Sequence, residues 1–186
     1  LGARKSATTL GRLAILWALA YLSFGALQNK RATMFGQQLA VSRGHQPTLL
    51  EVKPSFGNLF VWKIIYEADG TYYVDAVRAG AAFTHYAGES VAKLEVSRDL
   101  PWLDEDSQQA KELERFRWFS SGFLALDLQR PNFVVDMRYS MLPNEVDALW
   151  GIQLEPDRKS GDHVEFHWDR KVSKEKRDTL KSMIFD

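Results

Sequence analysis

His163-Val-Glu-Phe-His167 places two imidazoles and a carboxylate at i, i+2 and i+4. On a strand, His163, Glu165 and His167 project from one face. Two histidines and a carboxylate are a ligand set for zinc or another divalent ion. Successive ligands along one strand stand about 7 Å apart, wide for a shared ion. The plainer alternative is the wet face of a strand whose dry face is Val164, Phe166 and Trp168. A second constellation is Val135-Asp136-Met137-Arg138-Tyr139, with Asp136 and Arg138 on one strand face. A carboxylate beside a guanidinium stays ionised and can orient a substrate. The same pair also serves as a structural salt bridge, common on sheets. Trp62, Trp102, Trp118, Tyr66, Tyr72 and Tyr73 could stack single-stranded bases or form core and cross-strand pairs. His85, in Phe83-Thr-His-Tyr86, reads as a loop histidine.

Composition narrows the chemistry. The 186 residues carry 24 Lys+Arg against 24 Asp+Glu, so net charge is zero. A nucleic-acid binder needs a clustered basic excess, and no nucleic-acid partner is expected. The chain has no Cys, which removes disulfides, thiolate zinc sites and cysteine nucleophiles. Gly-x-Gly-x-x-Gly, a Walker loop, His-Glu-x-x-His and Gly-x-Ser-x-Gly are all missing.

The elements that must position these residues follow from pattern. Residues 13–22 are ten apolar residues in a row, and with one Ser and one Gly the run reaches Leu27. No Pro occurs before Pro47, and one long helix is predicted from about Thr9 to Val41. Its first half is apolar around the whole circumference, which means burial in a core or in a bilayer. A spanning helix needs about 20 apolar residues, somewhat more than this run supplies. Basic residues flank both ends: Arg4, Lys5 and Arg12 before, Lys30 and Arg31 after. Two readings stand side by side, a helix packed on a sheet and the end of a membrane segment leading into a soluble domain.

Beyond Pro47, residues 58–66 and 72–77 flank Asp69-Gly70 and predict a β-hairpin. Residues 90–96 supply a third strand. Asp104-Glu-Asp-Ser opens a helix carrying Ala110, Leu113 and Phe116 on one face. Residues 123–128 and 133–139 form a second hairpin around Gln129-Arg-Pro-Asn132, and 148–154 with 163–168 a third. Ser173 caps a last helix with Leu180, Met183 and Ile184 inward. The expected class is α+β: a long N-terminal helix packed on a curved, mostly antiparallel sheet of about six or seven strands, with one or two further helices. Residues 1–44 form the helical lead and 45–186 the extramembrane domain. A chain opening on Leu1 is expected to be part of something longer.

Three stretches together carry a likeness: Gln46-Pro-Thr with Pro54-Ser-Phe-Gly-Asn-Leu-Phe-Val-Trp62; Arg117-Trp-Phe-Ser-Ser-Gly-Phe123; and Val135-Asp-Met-Arg-Tyr139. In this order and spacing the chain resembles the C-terminal part of bacterial inner-membrane proteins of the membrane-bound, metal-dependent hydrolase family, a group with LexA-regulated members. The likeness covers residues 10–156. Asn58, Trp62, Trp118, Ser120, Gly122, Asp136, Arg138 and Tyr139 match the family's tail pattern. The resemblance implies several membrane helices ahead of this segment, with the family's metal-binding histidines among them. It therefore implies no metal ligand or cofactor in this chain, a divalent metal in the preceding membrane portion, and an inner-membrane location with this domain on one face.

Three functions are carried forward. The domain is an accessory tail of a membrane-bound hydrolase, meeting a partner protein or small molecule; or a binding module for an apolar or amphipathic ligand; or a hydrolase in its own right. The candidate catalytic residues are Asp136 and Arg138. The candidate binding residues are Asn58, Trp62, Trp118 and Tyr139, and the candidate metal ligands His163, Glu165 and His167.

Overall fold

The computed structural model describes residues 2–168 and 173–186, with side chains from residue 8 onward. Helix α1 (Gly2–Ser42) is a single 41-residue rod, about 60 Å long at 1.5 Å per residue. Its two halves have different surroundings. Leu10, Leu13, Ile15, Leu16, Trp17, Leu19, Leu22 and Leu27 are each more than half exposed. From Gln28 onward a four-residue repeat of buried positions (Gln28, Ala32, Gly36, Ala40) lies against the domain. The repeat is small for a reason: a methyl group added at Gly36 would stand 3.0 Å from the Ile64 side chain.

The first sheet contains β1 (Leu49–Pro54), β2 (Val61–Ala68), β3 (Thr71–Ala79), β4 (Phe83–Tyr86) and β5 (Ser90–Ala92). The order is β1-β2-β3-β4, with β5 sharing the β3 edge, and every pairing is antiparallel. The predicted Asp69-Gly70 turn closes the central hairpin, pairing Ala68 with Thr71. Both turn residues take positive φ, 52° and 71°, as a two-residue connection matching strand twist requires.

A short helix α2 (Val96–Asp99) and then α3 (Gln108–Phe119) follow. α3 starts after the acidic run because the Ser107 hydroxyl accepts from the Ala110 N–H at 3.2 Å, satisfying an orphan donor of the first turn. The second sheet is β6 (Leu124–Leu126), β7 (Phe133–Asp136), β8 (Trp150–Gln153) and β9 (Glu165–Trp168), antiparallel and in chain order. α4 (Lys174–Phe185) closes the chain with Ser173 as its N-cap.

These pieces stack in four layers. Trp62, Ile64, Tyr66, Val77 and Ala79 pack with Ala32 and Ala40 of α1. The opposite face of the same strands, Ile65, Tyr72 and Val74, meets Phe123, Ala125, Phe133, Val135 and Met137 of the second sheet. The far face of that sheet, Leu124, Val134 and Ile152, is covered by Leu113 and Phe116 of α3. α4 seals one end through Leu180 and Met183 against Val61, Ala76 and Leu142.

The α+β class holds, but among the described residues the single sheet of six or seven strands is two sheets of five and four, and three helices rather than one or two follow α1. Each hairpin was visible because its pairing is local. Which hairpins share a sheet depends on contacts between distant segments. Backbone links the two sheets where Lys93 bridges Ala125 and the Leu94 N–H donates to Leu124 C=O at 2.8 Å.

Candidate functional site

Asp136 ends β7 and Arg138 lies two residues on, with side chains 0% and 9% exposed. Asp136 Oδ1 accepts from Arg138 Nε at 2.9 Å and from the Arg138 N–H at 3.1 Å. Its Oδ2 accepts from Arg138 Nη2 at 2.8 Å and from Trp150 Nε1 at 3.3 Å. The guanidinium also donates to Phe119 C=O at 2.7 Å and Ser121 Oγ at 3.2 Å. It lies between the rings of Phe119 and Tyr139, 5.7 and 5.4 Å from their centroids.

This is a framework knot. After α3 the chain turns through Ser121 and Gly122 at φ 53° and 83°, and Arg138 places a cation on the Phe119 carbonyl at the helix end. The Phe-Ser-Ser-Gly and Asp-x-Arg-Tyr stretches are thus two halves of one contact. Both carboxylate oxygens are taken by internal donors, so the pair ties β7 to the end of α3 and to Trp150 of β8. The hydrogen bonds to Asp136 hold the Arg138 guanidinium above its ordinary pKa.

Next to the knot is a site that sequence reasoning missed. Lys63, on the inter-sheet face of β2, is only 3% exposed. Its Nζ donates to Ser140 Oγ at 2.7 Å and to Glu145 C=O at 2.9 Å. Burial pushes the ammonium down to about 7, against the pull of Asp136, Glu145, Glu89 and Asp147. A lysine amine with a lowered pKa beside a hydroxyl is the pairing used by serine–lysine nucleophiles. Here the Ser140 hydroxyl donates instead to Leu142 C=O at 2.7 Å, and Ser140 is itself buried. The signal in the sequence was a lysine inside the apolar run Val61-Trp-Lys-Ile-Ile-Tyr66, a local contradiction of the strand pattern.

A second missed cluster lies under α1. Asp75 of β3, 2% exposed, receives Arg43 through Nη1 at 2.6 Å and Nη2 at 2.9 Å, and stands 2.9 Å from His85 Nε2. Arg43 Nη1 also donates to the Tyr66 hydroxyl at 3.2 Å, which lies 2.9 Å from His45 Nδ1. The His45 ring meets Tyr73 in a tilted contact, centroids 4.4 Å apart. Burial raises the Asp75 carboxyl, but the bonds from Arg43 and His85 outweigh it and hold the group below its ordinary range. His85, expected in a loop, is a β4 residue paired with Val77. Mid-strand Asp75 flanked by Val74 and Ala76 was the available signal.

The four candidate binding residues do not converge. Asn58 closes its own loop: Oδ1 accepts from the Phe60 and Val61 N–H groups at 2.9 and 2.7 Å, and Nδ2 donates to Ser55 Oγ at 2.7 Å. Trp62 is buried against α1 and donates to Leu59 C=O at 3.0 Å. Tyr139 stacks on Trp150 at 4.8 Å, while Trp118 projects from α3 at 85% exposure.

The candidate metal ligands also part company. His163 precedes β9 and pairs with Glu112 of α3. Glu165 is taken by Arg158, and His167 Nε2 stands 3.6 Å from Glu165 Oε2. Among the described residues no three His, Asp or Glu side chains form a metal-holding group. The expected dry face needs correction as well. Phe166 and Trp168 are 57% and 55% exposed, because β9 is an edge strand without a layer over it.

No family model matches this chain, and no curated protein and no solved structure matches it.

Proposed function

We propose that this chain is the extramembrane domain, with its lead-in helix, of a bacterial inner-membrane protein of the membrane-bound, metal-dependent hydrolase kind, and that the domain is an accessory tail. The observation that carries the reading is the surface of α1. Its best 18-residue window has mean hydropathy 1.6, and none of that window is buried. The exposed side chains of residues 10–27 run around the whole circumference, as lipid contact favours and water does not. Eighteen residues of helix rise about 27 Å, close to the hydrocarbon thickness of a bilayer.

The accessory role is supported by the Asp136–Arg138 knot, whose polar atoms are spent on α3 and Trp150. In this reading the catalytic metal and its histidines belong to the membrane portion of the parent. A binding module for apolar ligands has less in its favour: the hollow beside Met137 is rimmed by Glu89, Asp127, Arg130, Glu145 and Lys176, the more apolar hollow at Val96, Leu103, Ala110 and Leu113 is edged by Glu105, Lys111, Glu114 and Arg115, and neither is lined by an aromatic side chain.

Two measurements test the proposal. Alkaline carbonate extraction of bacterial membranes holding the full chain should leave it in the pellet, and Leu16→Lys with Leu19→Lys should release it. Release of the unaltered chain overturns the anchor. Hydrolysis by the intact parent should persist in Asp136→Asn with altered substrate dependence. Complete loss of the chemical step with the domain still folded overturns the accessory role.

A further inference from the structure

We infer that the loops at residues 55–60 and 80–83 form a half-collar on one side of α1 that dips into the headgroup layer of an anionic bilayer, docking the domain on the membrane. The inference rests on the anchor reading and adds a second contact to it.

Position comes first. The Phe24 ring meets the Phe60 ring edge-on at 5.7 Å, and Leu59 lies 3.7 Å from where a Cβ on Gly25 would be. Gln28 Nε2 donates to Ala79 C=O at 2.6 Å, and Arg31 Nη2 to Gly80 C=O at 2.7 Å. Both loops therefore flank one side of the helix where it leaves the domain. Phe24 lies three residues inside the end of the apolar run at Leu27, about 4.5 Å along the axis. A bilayer that accepts residues 10–27 must bring its headgroups to these loops.

Their chemistry suits that layer. Phe56, Phe60 and Phe83 are 51%, 43% and 42% exposed, and Phe56 stands at the loop tip beside Gly57 at φ 69°. Exposed Phe next to basic residues is the composition of a segment lying in the interface. Lys30, Arg31 and Arg78 flank the collar, and no Asp or Glu occurs at residues 1–50, 52–66 or 76–88. The acids of this neutral chain thus avoid the face that would meet anionic lipid, while the cations remain there. Arg31 also lies over the Phe83 ring at 5.0 Å, joining charge and apolar surface in one patch.

The chain has no native cysteine, so single cysteines take a polarity-sensitive fluorophore cleanly. Leu16→Cys, Phe56→Cys and Leu128→Cys, each in the full chain, are reconstituted into phosphatidylethanolamine–phosphatidylglycerol vesicles carrying nitroxide on the headgroup or deep in the acyl chain. The Leu16 label should be quenched by the deep nitroxide, the Phe56 label by the headgroup nitroxide, and the Leu128 label, in the β6–β7 turn, by neither. A quenched Leu16 label with a water-exposed Phe56 label overturns the collar and leaves the anchor standing. A water-exposed Leu16 label overturns the anchor itself. Phe56 quenching should weaken in pure phosphatidylcholine; undiminished quenching there overturns the preference for anionic lipid.

Discussion

Arg43 and Asp75 meet in a two-pronged ion pair, Nη1 to Oδ2 at 2.6 Å and Nη2 to Oδ1 at 2.9 Å, that pins the chain just past the end of α1 to the centre of β3. The pair ties the helical lead to the domain, so a force on α1 is passed directly to the sheet. Asp75→Ala leaves Arg43 and His85 without their acceptor. It should destabilise the domain by on the order of 2–4 kcal/mol, read by urea unfolding.

The same carboxylate sets an acid limit. Its pKa is lower folded than unfolded, so its contribution is complete above the unfolded value near about 4 and is lost as pH falls through the folded value. Melting midpoints measured from pH 6 down to pH 3 should fall more steeply in the unaltered chain than in Asp75→Asn. Equal slopes would remove Asp75 from the account.

Lys63 gives a dependence at the other end of the scale. With its folded pKa lowered to about 7, the unfolded chain holds an extra proton between there and the ordinary lysine value. Stability should therefore rise with pH across that window, by up to about 1.4 kcal/mol per pH unit from this group. Lys63→Met should remove the rise and be near neutral at pH 7, since it exchanges a buried ammonium for an apolar chain of similar length. A rise that persists in Lys63→Met assigns it to another group.

Arg138→Ala strips the counter-charge from an Asp136 that is fully enclosed and uncaps the end of α3. A loss of about 3–5 kcal/mol is expected. The Trp150 indole, which donates to the same carboxylate, should report local loosening by a red shift of its fluorescence. Arg138→Lys should recover only part, because one ammonium cannot bridge Asp136, Ser121 and Phe119 together.

Gly88 has no room for a side chain. A Cβ there would fall 2.1 Å from Val74 C=O and 2.2 Å from Asn144 C=O, both of them backbone. Gly88→Ala should cost on the order of 3 kcal/mol and lower the melting midpoint accordingly, whereas Gly161→Ala, in open space, should not.

The legible parts of this protein are those written in consecutive residues. The Asp69-Gly70 hairpin, the other two hairpin positions, the Ser173 cap and the long apolar helix all follow from patterns in neighbouring residues. β1 and β4 were missed because each is short: Leu50-Glu-Val-Lys53 alternates for only four residues and Phe83-Thr-His-Tyr86 not at all; each exists by pairing with a neighbour, β1 through Val52 opposite Ile64 and β4 through His85 opposite Val77. The candidate site divides the same way. Asp136 and Arg138 are near in sequence, and their pairing was readable. Lys63 with Ser140, and Arg43 with Asp75, are separated by dozens of residues and only folding brings them together.

Residue order alone determined the class, the neutral cysteine-free surface chemistry and the two characters of α1. These depend on local propensity and on how much apolar surface a segment must hide. The tertiary structure decided that the hairpins divide into two sheets, that Asp136 and Arg138 meet the end of α3, that His163 goes to Glu112 while Glu165 goes to Arg158, and that the loops at residues 55–60 and 80–83 lie beside α1. Those outcomes turn on which distant surfaces exclude water together, a property no window of sequence contains.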